Sequence, residues 1–189
     1  MPRIQPINDP SQYRDLNEAT LLAQCRWDVF RGPGPGGQKR NKTSSAVRLT
    51  HEPTGISVIA GESRSQAENR MRAVRRLRLK IACDVRKPID PRGFEPPDWI
   101  EKVRGVPDRK STSTSRRLQV SYRNPLYAPT IGMVLDLLSS RDGVIADVAS
   151  LLGVSTSSVV RLLHEEPQAW AAANKIRAEV GQSPLTAPR

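Results

Sequence analysis

The run GPGPGGQ, from Gly32 to Gln38, closes on Gly36, Gly37 and Gln38, and the cations Lys39, Arg40 and Lys42 follow at once around Asn41. Glycine beside dense positive charge has three chemical uses: a linker, a cradle for phosphate, or a tip whose backbone must approach a reacting centre closely. A Walker loop ends in Gly-Lys-Ser/Thr, and a dinucleotide loop reads G-x-G-x-x-G between a strand and a helix, with an acid about 20 residues on. Gln38 stands where the Walker lysine would be, so neither spacing is met. The third use remains. Residues without a Cβ take backbone angles closed to others, so Gly36 and Gly37 let the amide of Gln38 point into a confined space. Pro33 and Pro35 stiffen the approach without bulk at the tip.

The rest of the chain offers no conventional reaction machinery. Cys25 and Cys83 lie far apart, with no CxxC and no histidine at metal spacing, and read as small buried apolar residues. His51 and His164 are equally isolated. No Ser/His/Asp set and no paired carboxylates stand out, so the reading calls for no metal and no cofactor. The nature of any substrate has to be sought in other features of the chain.

Charge points to the nature of that substrate. With Lys+Arg 30 against Asp+Glu 19, the chain carries +11, which favours a polyanion, nucleic acid first. Residues 1–124 hold 25 basic and 13 acidic residues, and 125–189 hold 5 and 6. The partner surface therefore belongs to the first two thirds. No apolar run approaches the roughly 18 to 20 residues that span a bilayer, so no membrane partner is expected. The N-terminus resembles neither a secretory signal nor a transit peptide, and the expected location is the cytoplasm.

Elements that would position the loop are legible on both sides of it. DLNEATLLAQC, from Asp15 to Cys25, has helical spacing, and WDVFRG alternates as a half-buried strand. Two β segments, Ala46 to Thr50 and Ile56 to Ala60, flank HEPTG, whose Pro53 and Gly55 are turn chemistry for a hairpin. SRSQAENRMRAVRRLRLKIACDV then predicts a long helix with Ala67, Met71, Val74, Leu77 and Ile81 on its apolar face. Ser65 and Glu68 form a capping box. Its other faces are crowded with arginine, with few acid partners four residues away.

Prolines, serines and threonines break the pattern between Lys87 and Asn124, which reads as a basic linker able to track a phosphate backbone. Four short helices follow. PTIGMVLDLLSS has a one-sided apolar face of Ile131, Val134, Leu135 and Leu138, and IADVASLLG ends on a left-handed cap at Gly153. STSSVVRLLHEE starts at an N-cap Ser155, and the last helix starts with Pro167 at its first position and stops at Gly181. The middle pair has a helix-turn-helix pattern, but its second helix offers only Arg161 to phosphates.

GGQKRNKTSSAVRLTHEPTGI, followed by SRSQAENR on a basic helix, resembles the catalytic domain of the class I peptide chain release factors and their shorter ribosome-rescue relatives over about residues 12 to 85. Gly-Gly-Gln alone discriminates poorly. In combination with Asn41-Lys42, Ala46 to Leu49, Pro53 to Gly55 and Arg64 to Gln66, in this order and spacing, it is highly specific. The resemblance implies hydrolysis of the ester joining a nascent peptide to the 3′ end of tRNA, in the peptidyl transferase centre of the large ribosomal subunit. It implies catalytic roles for Gly36, Gly37 and Gln38, and RNA contacts for Lys39, Arg40, Asn41, Lys42, Arg64, Ser65, Gln66, Asn69 and Arg70. Glutamine at the position of Gln38 is often N5-methylated in the family, which makes a glutamine methyltransferase a further expected partner.

The expected architecture is α+β: a release-factor-type catalytic domain over 12–87, with an antiparallel or mixed sheet and a packed basic helix, a basic linker over 88–124, and an all-α, helix-turn-helix-like unit over 125–183. Few residues precede Gly36, so codon-independent rescue of stalled ribosomes or blocked large subunits, by a monomer, is expected over stop-codon decoding. The competing readings are a non-hydrolytic ribosome or RNA-binding factor and a helix-turn-helix DNA regulator. Position 39 is Lys where many relatives carry His, and the near-neutral helical unit stands where short relatives carry a basic tail.

Overall fold

A computed structural model describes residues 10–31, 45–105 and 116–188. The chain divides into two compact units, residues 1–81 and 82–189.

The first unit is built on a three-stranded antiparallel sheet in the order β1-β2-β3, with β1 Cys25–Phe30, β2 Ala46–His51 and β3 Ile56–Ala60. The expected hairpin is present, and Gly55 takes the positive φ of 69° that its turn needs. Cross-strand register places Trp27 opposite Leu49 and Leu49 opposite Val58, with Val29, Val47 and Ala60 forming the next row. Because strand side chains alternate, this face gathers the buried Val47, Leu49, His51 and Ala60, while Arg26, Asp28, Arg48, Ser57 and Ile59 share the other. A short helix, α1 Glu18–Ala23, precedes β1, and the side chain of its N-cap Asn17 accepts from Thr20 N–H at 2.9 Å.

The long basic helix is α2, Gln66–Asp84. Its buried face differs from the expected one: Asn69, Ala73, Val74, Leu77 and Ile81 are buried, whereas Ala67 is exposed and Met71 is 55 % exposed. Val74, Leu77 and Ile81 are buried as expected, but in the first turns the buried positions are Asn69 and Ala73, two residues on from Ala67 and Met71.

His51 is fully buried. One ring nitrogen lies 2.8 Å from the Thr54 hydroxyl and the other 3.0 Å from Gln24 Oε1, and Tyr13 meets the ring edge-on at 4.8 Å. It is a satisfied core histidine at the turn of the hairpin, and burial lowers its pKa.

In the second unit α3, Tyr127–Ser140, is the central helix. Every residue from Thr130 to Leu138 is buried, so its apolar surface is continuous rather than one-sided. Helices α4 (Ile145–Leu152), α5 (Thr156–Glu165) and α6 (Pro167–Glu179) pack against it. The caps read from the sequence are present: Gly153 at φ 62°, Ser155 accepting from Ser158 N–H at 3.3 Å, and Pro167 in the first turn of α6. Asp136, buried in the middle of α3, accepts from Lys87 N–H at 3.0 Å and pairs with Arg86 at 3.4 Å. Beyond α6 the chain folds back: Arg177 Nε donates to Ser183 O at 2.7 Å, and Leu185 N–H to Asn174 Oδ1 at 2.8 Å.

The described parts of 88–124, expected as an irregular linker, are mostly without regular structure and exposed or half-buried, with two buried anchors. A 3₁₀ helix, Asp98–Lys102, buries Ile100, and Val103 is buried beside it. Gly105 N–H donates to Arg117 O and Gln119 N–H to Val103 O, both at 2.7 Å, so the segments on either side of 106–115 pair as a short antiparallel ladder. Two apolar residues three apart are enough to anchor one 3₁₀ turn, too weak a period to be seen against the surrounding prolines and charges. No helix among the described residues is long and apolar enough to cross a membrane.

The His51 environment predicts a pH dependence. Its folded pKa lies below the unfolded value of about 6.5, so its stabilising contribution is complete above that value and is lost as pH falls toward the folded pKa. In urea unfolding, the destabilisation caused by His51→Gln should therefore be larger at pH 7.5 than at pH 5. An equal difference at both values contradicts the buried neutral imidazole.

Candidate functional site

Phe30, the last residue of β1, pairs with Ala46, the first of β2. The segment from Arg31 to Ser45 thus leaves and re-enters the sheet at one cross-strand pair. Gly36, Gly37, Gln38, Lys39, Arg40, Asn41 and Lys42 all fall within 32–44, outside the described residues. What the structure describes is the stem on which they stand.

The returning end of that stem is held from two sides. A Cβ on Gly61, just past β3, would lie 3.1 Å from Ala46 Cβ, so the chain packs there closely enough to favour glycine. The Asn69 amide donates to Ser45 O at 2.7 Å and to Ser63 O at 2.8 Å, and its oxygen accepts from Ser63 N–H at 3.0 Å. With no exposed surface and both amide hydrogens used, Asn69 cannot reach RNA. This corrects its expected role as an RNA-binding residue. A short polar side chain on a basic helix reads as surface in sequence, but here its hydrogen bonds face inward.

The other expected contacts at the start of α2 fall into two groups. Arg64 and Ser65 are exposed, and Gln66 is half-buried. Ser65 Oγ accepts from Glu68 N–H at 3.3 Å as expected, but the reciprocal half of the capping box runs through Ser63, whose hydroxyl donates to the Glu68 carboxylate and accepts from Ser65 N–H at 3.1 Å. Arg70 is exposed and lies over the ring of Trp27, 5.5 Å from its centroid.

Other arginines of the helix serve the fold. Arg72 pairs with Glu68 at 2.7 Å, Arg76 pairs with Glu62 at 2.8 Å and donates to Ile59 O, and Arg78 donates to Leu16 O at 3.3 Å. Burial acts to raise the Glu62 pKa, but the hydrogen bond and charge of Arg76, with backbone N–H donors, hold it below its ordinary value. Arg48, Arg64 and Arg70 are exposed and join no ion pair among the described residues.

Sequence reasoning missed a second aromatic-cation pair. Arg48 on β2 lies over the ring of Phe30, 5.4 Å from its centroid, on the sheet face opposite Trp27. The foot of the loop thus carries a guanidinium over an aromatic ring on each face. The only signal in the sequence was register, since Arg48 sits two residues past Ala46, the partner of Phe30.

Among the described residues, the one half-exposed cysteine is not a nucleophile. Cys25 donates its thiol to Leu21 O at 3.2 Å, and burial, with Glu52 nearby, pushes its pKa up to about 11, the reverse of a reactive thiolate. In the second unit, the first turn of α5 is occupied by its own chain: Ser158 Oγ accepts from Leu118 N–H at 2.6 Å, and Ser155 N–H donates to Arg116 O at 2.9 Å. A DNA-reading helix presents this turn to base edges, and here Thr156 and Ser157 are its exposed residues, with Arg161 the one cation of the helix.

Comparison with known proteins fits this stem. Residues 19–97 match the RF-1 domain family model. Over 84 residues the chain is 44% identical to peptide chain release factor 2 of Rhodococcus jostii, a stretch covering 44% of this chain and 22% of that protein. Over 67 residues it is 54% identical to peptide chain release factor 1 of Acidiphilium cryptum, covering 35% and 18%. With peptide chain release factor 1 of Lactiplantibacillus plantarum the figures are 44% over 81 residues, covering 43% and 20%. The chain spans about a fifth of the length of these relatives.

The arginine over Trp27 predicts a measurable coupling. A double-mutant cycle with Trp27→Leu and Arg70→Ala, read by urea unfolding, should give about 0.5–1 kcal/mol of interaction energy, as for an exposed cation–π pair. Strict additivity would remove the contact.

Proposed function

Residues 19–97 belong to the class I peptide chain release factor family, and on that premise we propose that the protein hydrolyses the ester between a nascent peptide and the 3′ end of tRNA while bound to the ribosome. The observation that carries the proposal is Gly36-Gly37-Gln38 standing inside the matched domain, on the segment whose two ends meet at the Phe30–Ala46 pair.

In this reading the attacking water adds to the ester carbonyl, the carbon–oxygen bond to the tRNA 3′ oxygen breaks, and peptide carboxylate and tRNA 3′ hydroxyl leave. The Gln38 N–H donates to the oxygen on which charge develops, or to the departing 3′ oxygen, in the manner of an oxyanion hole. The Gln38 side-chain amide orients the water and keeps bulkier nucleophiles out. The RNA surroundings supply the proton transfers, in keeping with a buried, hydrogen-bonded His51 and a Cys25 thiol held protonated.

Lys39, Arg40, Lys42, Arg64 and Arg70 hold phosphates of rRNA or of the tRNA acceptor end, and Asn41, Ser65 and Gln66 hydrogen-bond to sugar or phosphate. Arg48, over Phe30, joins this group. Release by this protein is codon-independent, serving stalled ribosomes or blocked large subunits in the cytoplasm, and the protein acts as a monomer. Gln38 is a substrate for a glutamine methyltransferase. Intact Gly-Gly-Gln favours hydrolysis over a purely binding role.

Peptide release from purified ribosomes carrying peptidyl-tRNA, with and without a stop codon in the A site, tests the proposal. The full chain should release peptide in both cases. Gly37→Ala should lose about 10²–10³-fold in rate, as for removal of one oxyanion donor, and more than Gln38→Ala. The apparent ribosome affinity should fall steeply with salt. Equal rates for all three proteins refute the catalytic assignment, and release only at a stop codon refutes codon independence.

A further inference from the structure

The Asn69 side chain uses its whole amide, and its partners lie on two separate stretches of chain. Its amide nitrogen holds Ser45 O, immediately before β2, and Ser63 O, between β3 and α2. Its oxygen holds Ser63 N–H, and its own backbone N–H donates to Ser65 O at 3.0 Å. Ser63 in turn carries the hydroxyl that links Ser65 and Glu68 at the start of α2. The side chain therefore ties the point where 31–45 re-enters the sheet to the N-terminus of the helix bearing Arg64 and Arg70.

We propose that Asn69 is a positioning residue for peptide release: it fixes the re-entry point of the Gly-Gly-Gln segment relative to the RNA-holding start of α2. The inference rests on the release-factor reading above. The chemistry singles out asparagine. Two donors and one acceptor on a short side chain are all in use, and reversing the amide would set NH₂ against the Ser63 N–H. Aspartate has the shape and no donors, serine has one donor, and glutamine has the groups but is one methylene too long. Burial excludes a direct contact with RNA, so any effect on reaction must pass through Ser45 and Ser63.

A loosened re-entry point changes how well the tip is placed, and leaves the exposed Arg64 and Arg70 on α2 and its approach. Misplacement of a reacting group by about 1 Å can cost about 10²-fold in rate. The signature is thus a fall in kcat with little change in KM, opposite to that of losing a phosphate contact.

The test compares full-length wild type, Asn69→Asp, Asn69→Ser and Arg64→Ala in single-turnover peptide release over a range of ribosome concentrations. Amide hydrogen exchange at Ser63 and Ala46 is followed in the same proteins. For Asn69→Asp, which loses the two donors and keeps the acceptor, the expected result is a kcat lower by about 10–10²-fold and KM within about twofold of wild type, with faster exchange at Ser63 expected in Asn69→Ser. Arg64→Ala should raise KM and leave kcat alone. Should Asn69→Asp lack the wild-type circular dichroism spectrum, Asn69→Ser carries the same expectation. A folded Asn69 variant with wild-type kcat, or one whose only change is KM, overturns the proposal. Wild type without release activity would instead sink the functional reading, while the exchange at Ser63 would still report whether the amide holds the two segments.

Discussion

The pairing of Phe30 with Ala46 is the constraint from which the first unit takes its meaning. The stretch 31–45 is rich in glycine, proline and cations and poor in apolar residues. What it can inherit is the position of its ends. Antiparallel register sets both ends at one point of the sheet, close packing of Gly61 on Ala46 sets the depth, and the Asn69 amide sets the return. The rest of the small sheet, with Leu49 and Val47 buried and His51 satisfied at the far end, keeps that one pair in register, since a slip of one residue would turn every inner side chain outward.

Arginine does two different jobs on one helix. Arg72, Arg76 and Arg78 are half-buried and engaged by Glu62, Glu68 and the carbonyls of Ile59 and Leu16, and Arg76 and Arg78 tie α2 to the end of β3 and to the chain before α1. Arg70 and Arg48 are exposed residues whose guanidinium groups lie over aromatic rings. A guanidinium seated in this way loses less freedom when it meets an anion. Net charge alone does not separate these roles, so +11 overstates the charge available to a partner.

Much of this was legible in the chain. The hairpin and its glycine turn, the helix that follows, and the caps at Gly153, Ser155 and Pro167 each rest on local chemistry that the structure retains. The failures share a cause, which is that they depend on residues distant in sequence. Asn69 looked like surface because its partners are 6 and 24 positions away. Met71 looked like core because helical spacing does not say which stripe meets the sheet. Helix α3 looked one-sided because three other helices surround it, and Ile100 with Val103 were too sparse to betray a packed turn among prolines. The proposed reacting residues were recognisable by pattern alone, whereas the stem beneath them was visible only in three dimensions.

The buried pairing of Asp136 with Arg86 and Lys87 has a practical corollary for anyone dissecting this molecule. Shortening the gene after Asn124 would leave Arg86 without its carboxylate, and would strip Arg116 and Leu118 of Val154, Ser155 and Ser158. A fragment so made would bare backbone groups that are bonded in the full chain, and its behaviour would report that damage as much as the missing helices. The boundary between dispensable and indispensable sequence is therefore better sought by exchanging single side chains on α5 and α6 than by scissors.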